Sequence, residues 1–174
     1  MKRCAIVVAL LLLVGCSSSS EKIAGQVISC NSLESTLTSD SINLDCLDGS
    51  TGASVNTLKG PMIINVWGSW CGPCKEEMPI LRSFYKKAEG KVALVGVDVE
   101  EASISDGRDF VENNGITWPN LFDSAGSSRP YFGMGVPVTW FIAPDGSVAY
   151  KHIGVLKNEI ELITLTSKYL GVKF

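Results

Sequence analysis

Cys71-Gly72-Pro73-Cys74 stands where one hydropathy pattern gives way to another. Before it runs "MIINVW", Met62 to Trp67, a continuous apolar stretch with β-branched residues. Such a run predicts a central strand that needs cover on both sides. After it, Met78, Leu81, Phe84, Tyr85 and Ala88 recur at helical spacing. They predict a helix from Gly72 to Ala88, with Gly90 past its end. Pro79 falls inside that helix and is expected to kink it.

The cysteine pair has four chemical readings. A c-type haem anchor needs His at position 75, where Lys75 stands. A zinc site needs two more ligands; Cys30 and Cys46 are not a close pair, and His152 is the only histidine. An inert structural disulfide of this spacing directly after a strand is unusual. A redox centre suits every neighbour. Cys71 falls at a helix N-terminus, where unpaired N–H groups and the positive end of the helix dipole stabilise a thiolate. The thiolate is the attacking species in disulfide exchange. Pro73 costs nothing in the first turn, because its missing N–H would have no partner there. Cys74, one turn further in, is shielded. Cys71 is therefore expected to attack and Cys74 to resolve.

The first 16 residues read as a separate segment. Lys2 and Arg3 precede "AIVVALLLLVG", an apolar run too short for an ordinary transmembrane helix but of signal-peptide size. It ends in "LVGC", which resembles a bacterial lipobox. The expected division is a signal peptide over 1–15, a lipidated Cys16 with a flexible tether over 16–25, and one domain over 26–174. An ordinary secretory signal or a membrane anchor left in place, with Cys16 incidental, is the alternative. Diacyl lipid gives the multiple chains that stable anchoring needs. Without Lys2 and Arg3, 13 basic residues face 18 acidic ones, a charge of −5. No basic patch for nucleic acid is indicated.

Six cysteines are encoded. Cys4 leaves with the signal and Cys16 takes lipid. Disulfides persist outside the cytoplasm, and four remaining thiols allow three pairings. The expected ones are Cys71 with Cys74, and Cys30 with Cys46 as a structural bridge; two unpaired buried cysteines are the alternative. A Cys30–Cys46 bridge would add roughly 3 kcal/mol in the chain-entropy model.

Elsewhere, "GQVISC" reads as a short strand, and "INLDCLDGSTGASVNTL" as two strands around Asp48-Gly49. "VALVGVDV" is a second buried strand. Asp106 is expected to cap a helix running through Phe110 and Val111 to Asn114, closed by Gly115. "TWPNLFD" is a mixed segment, and "SSRPYFG" a short helix. "VTWFIA", the turn "PDG" and "SVAYKHI" form a hairpin, and Asn158 with Glu161 opens a last helix. Trp67, Trp118, Phe122, Trp140 and Phe141 are expected in the core, and His152 in a structural or exposed place. The class is α/β: a central mixed sheet with helices on both faces and an N-terminal β-hairpin extension.

"WCGPC" is the motif of the thioredoxin superfamily, and "LDGSTGASVNTLKGPMIINVWGSWCGPCKEEMP" resembles its TlpA/ResA-like extracytoplasmic, membrane-tethered branch. The resemblance covers about residues 42 to 171 and implies the thioredoxin fold. It implies a cis-proline facing the cysteines, here Pro137 after Val136, with the Val136 backbone pairing an extended partner. It places Asn65 where classical thioredoxins have a buried aspartate, and puts a glutamate, Glu77, three residues after the second cysteine. Helical spacing sets Glu77 on the face of Cys74, where it could take the Cys74 proton. An ordinary solvated helix charge is the other reading of Glu77. Trp70 is expected to cover the disulfide and, with Pro73, Val136 and Pro137, to meet the partner.

The implied activity is protein thiol–disulfide exchange without cofactor or metal. The implied partners are disulfide-containing exported proteins, apocytochrome c among them, a membrane electron donor and the bilayer through Cys16, with the chain a monomer. Gly-Pro between the cysteines favours reduction, while Val138 departs from the acidic residue of cytochrome-maturation members. Three alternatives stand beside it. An oxidant or isomerase differs only in potential. A thiol peroxidase would carry Thr or Ser at Gly68 and Pro at Ile64. A copper chaperone would need a distal histidine that His152 does not match.

Overall fold

The computed structural model describes residues 24–174. The expected signal peptide, Cys16 and the tether through residue 23 lie outside the described residues. Gly25 is already docked: its N–H donates to the Glu112 carbonyl at 2.8 Å. A Cβ at Gly25 would come within 2.0 Å of the Val111 carbonyl oxygen, so glycine permits this close approach.

The chain continues with a hairpin, β1 (Asn43–Cys46) and β2 (Ala53–Ser54), and a 3-10 turn at Val55–Thr57. Then come β3 (Met62–Trp67), α1 (Gly72–Ala88), β4 (Ala93–Val99), α2 (Ile104–Asn113) and β5 (Asn120–Asp123). A single-turn α3 (Arg129–Phe132), the hairpin β6 (Val138–Ile142) and β7 (Val148–Ile153), and α4 (Glu159–Leu170) complete it. The seven strands form one mixed sheet in the order β2-β1-β5-β4-β3-β6-β7. β3 lies inside it, parallel to β4 and antiparallel to β6.

Alternation along the strands divides the core. Ile63, Trp67, Leu94 and Phe141 pack with α1, α2 and α4 through Met78, Leu81, Phe84, Phe110, Val111 and Leu162. Ile64, Val66, Val95, Val97, Val138 and Trp140 turn to the other face, which Val55 of the 3-10 turn and Phe132 of α3 cover. A strand buried on both faces has no polar alternation, which is why "MIINVW" is apolar almost throughout. Trp118 and Trp140 are buried in the core as expected; Phe122 is only half-buried.

Three sequence expectations need correction. "GQVISC" forms no strand, only a bridge between Ile28 and Pro119. "TWPNLFD" contains β5, a strand parallel to β4 and antiparallel to β1. Pro119 obscures it, since proline lacks the ladder donor; here only its carbonyl is used, accepting from Gly96 N–H at 2.9 Å. The expected N-terminal hairpin extends the sheet by way of β5. The N-cap of α2 is Ser103, and Asp106 is the third residue of a capping box that reaches back to Ser103 N–H at 3.1 Å. Among the described residues no helix is long and apolar enough to cross a membrane.

Candidate active site

Cys71 is the N-cap of α1, with extended backbone, and its sulfur accepts from Cys74 N–H at 3.1 Å. That contact turns one of the orphan donors of the first turn onto the sulfur that would carry charge. Pro73 lies in the same first turn. Cys71 and Cys74 are joined in a disulfide, with Cys74 fully buried and Cys71 4% exposed. The accessible edge of the pair is thus on Cys71.

The segment before Cys71 is held from the end of β4. Trp70 lies over Gly68, where a Cβ would meet its Nε1 at 2.6 Å, and donates Nε1–H to the Val99 carbonyl at 3.2 Å. It remains 55% exposed, a large apolar surface beside the disulfide. Ser69 donates both its N–H and its hydroxyl to the carboxyl of Glu101. A small cleft beside Trp70 is lined by Val66, Val99, Phe132, Met134 and Val136.

Pro137 follows a cis bond from Val136. The register that sets Val138 opposite Val66 brings Pro137 to the end of β3, next to the loop that carries the cysteines. The Pro137 carbonyl is held by Gly154 N–H at 3.0 Å, and Val136 is half-buried.

Glu77 is not a solvated helix charge: it is fully buried. Its Oε1 accepts from Asn65 Nδ2 at 2.6 Å and its Oε2 from Leu156 N–H at 3.3 Å. Burial pushes its pKa up to about 7, against the smaller opposing effect of those two hydrogen bonds. A carboxyl poised near neutrality, three residues after Cys74, can exchange protons at ordinary pH. Asn65 also donates to Thr139 Oγ1 at 3.3 Å, which orients its amide group towards Glu77.

Cys30 and Cys46 form a second disulfide, buried away from the first and packed against the Asn120 carbonyl. It fastens the segment before the hairpin to β1. His152 lies on β7, with its ring near the Val155 carbonyl. Two residues of the site are not singled out by motif reading, Glu101 and Asp98. Asp98 carries its own signal, an acid inside the apolar run "VALVGVDV".

The model of the AhpC/TSA family matches residues 33–151, more than half of the chain. This chain belongs to that family. It is similar to the thioredoxin-like protein YneN of Bacillus subtilis, 32% identical over 113 residues, covering 63% of this chain and 66% of the relative. It is also similar to the thiol-disulfide oxidoreductase ResA of Bacillus thuringiensis, 34% identical over 105 residues, covering 59% of this chain and 60% of the relative. The chain thus spans less than two thirds of the length of these curated relatives. The crystal structure of StoA from Bacillus subtilis superposes with a TM-score of 0.59 and 27% identity, covering 73% of this chain and 96% of that one. These similarities agree with the ResA-like resemblance carried by "WCGPC" and with the thioredoxin fold.

Proposed function

We propose that the protein is an extracytoplasmic thiol–disulfide oxidoreductase, tethered to the membrane by lipid on Cys16, that reduces disulfides of exported proteins. The observation that carries the reading is the Cys71–Cys74 disulfide at the start of α1, with a fully buried Glu77 one turn beyond it. In the reduced protein, the Cys71 thiolate attacks a partner disulfide. One partner sulfur leaves as thiolate, and a mixed disulfide forms. Cys74 gives its proton to Glu77 and attacks the Cys71 sulfur. The second partner thiolate leaves, and the Cys71–Cys74 disulfide closes. Two electrons have passed to the partner, and a membrane donor must return them. Trp70, Pro73, Val136 and Pro137 receive the partner as an extended segment. Apocytochrome c is one client this chemistry fits.

The thiol peroxidase reading is disfavoured at Gly68, where a Ser or Thr side chain would collide with the Trp70 indole. Direction is set by potential, so an oxidant or isomerase is the competing use of the same site.

Trapping tests the proposal. Reduced Cys74→Ser should accumulate a mixed disulfide through Cys71 with a peptide that carries an internal disulfide. Reduced Cys71→Ser should accumulate none. Equal trapping by both variants, or by neither, would refute the assignment of roles.

A further inference from the structure

Asp98 is a carboxyl that the exchange chemistry does not use. It is fully buried near the end of β4, and no N–H or O–H donor of the protein reaches either of its oxygens. It is also tightly housed: a Cβ on Gly107 of α2 would fall 1.9 Å from Asp98 Oδ2. The side chain that bears on it most is another acid, Glu101. Both oxygens of Glu101 already accept from Ser69. Two acceptors can share a hydrogen bond only if one of them holds a proton, and the oxygens engaged by Ser69 leave that proton to Asp98. Between the two acids the chain turns at Glu100, which takes a left-handed φ of 58° just past the end of β4.

We propose that Asp98 is a positioning residue: as a neutral acid it donates to Glu101, which fixes Ser69 and so presents Trp70 and Cys71 to the partner. The inference rests on the proposed exchange activity and adds to it a residue outside the cysteine motif. The charged groups that bear on Asp98 are Glu101, beyond β4, and Asp106, on α2, both acidic. Burial and these two neighbours push the Asp98 carboxyl up to about 9, so the proton is held at physiological pH. Losing it would set two carboxylates against each other, neither of them in an ion pair among the described residues, and Glu101 would loosen its hold on Ser69.

The test uses the full-length chain and two replacements of similar size. Asp98→Asn keeps a donor for Glu101; Asp98→Leu removes it. Two quantities are read: the rate at which reduced protein reduces a peptide disulfide, and the solvent exchange of the Ser69 amide hydrogen. Asp98→Leu should slow the reaction about tenfold, below the roughly hundredfold that a misplacement of about 1 Å can cost, and speed Ser69 exchange. Asp98→Asn should restore both. In a Glu101→Ala background, Asp98→Leu should add nothing. If Asp98→Leu does not fold, Asp98→Asn against wild type decides. After allowance for intrinsic base catalysis, Ser69 protection should fall above pH about 9 in wild type and persist in Asp98→Asn. Equal loss in both variants, independent effects of Asp98 and Glu101, or Ser69 protection with the same pH profile in wild type and Asp98→Asn would overturn the proposal. Failure of wild type to reduce the peptide would refute the exchange activity instead, leaving Ser69 exchange as the separate test of positioning.

Discussion

Glu77 Oε1 and Asn65 Nδ2 meet at 2.6 Å, and solvent reaches neither residue. The contact joins α1 to β3 beneath the disulfide and fixes which way the amide faces. Both Glu77 and Thr139 draw on Asn65 Nδ2, and Asn65 Oδ1 is left without a donor. Replacing Asn65 by Asp would set two buried carboxyls in contact, and they would have to share a proton. The Glu77–Asn65 pair thus keeps one acid, on α1 and not on β3.

Glu77→Gln should slow the resolving step by at least about tenfold at pH 7, since it removes a base of matched pKa. Formation of the mixed disulfide should be nearly unchanged. Stopped-flow measurement of each step with a peptide disulfide checks this split.

Glu77 also links stability to pH in the oxidised protein. Its folded-state pKa, about 7, lies above the ordinary value of 4.5. Between those values the folded chain holds a proton that the unfolded chain has released, so stability falls as pH rises through this window. The full loss is about 3 kcal/mol. Asp98, raised from 3.8 to about 9, adds its own decline across the same window and carries it to higher pH. Urea titrations from pH 4 to 8 should show less decline in Glu77→Gln than in wild type.

Removing the second disulfide with Cys30→Ala and Cys46→Ala should cost about 3 kcal/mol. Exchange through Cys71 should persist, because this bond lies away from the motif. Denaturation with Cys71–Cys74 kept oxidised measures the first, and peptide reduction the second.

Trp70→Ala should weaken partner capture more than it weakens the fold. The indole is half exposed, so little core is lost, while a large apolar contact is removed from the proposed docking face. KM for a peptide disulfide should rise several-fold, with Tm shifted by only a few degrees.

Several parts of this arrangement are legible in sequence because local rules agree there. "MIINVW" lacks polar alternation, Pro73 suits a first helical turn, and Asn158 sits three residues before Glu161. β5 is not legible: it is four residues long, begins beside Pro119, and takes its place from neighbours on both sides. Glu77 has the right spacing from Cys74, but its burial depends on Asn65 and on Leu156, 79 positions later. The Asp98–Glu101–Ser69 chain likewise forms only when the end of β4 meets the loop before α1. Spacing can place a side chain on a helix face; the partners that set its proton affinity come from distant segments.

The reduction potential of the Cys71–Cys74 pair tests the central claim most directly. It is read by equilibrating the protein against glutathione or dithiothreitol and trapping free thiols. A potential well below the glutathione range is predicted, which makes the protein a reductant dependent on a dedicated donor. A potential near or above that range would contradict the account and turn the direction of electron flow towards oxidation or isomerisation.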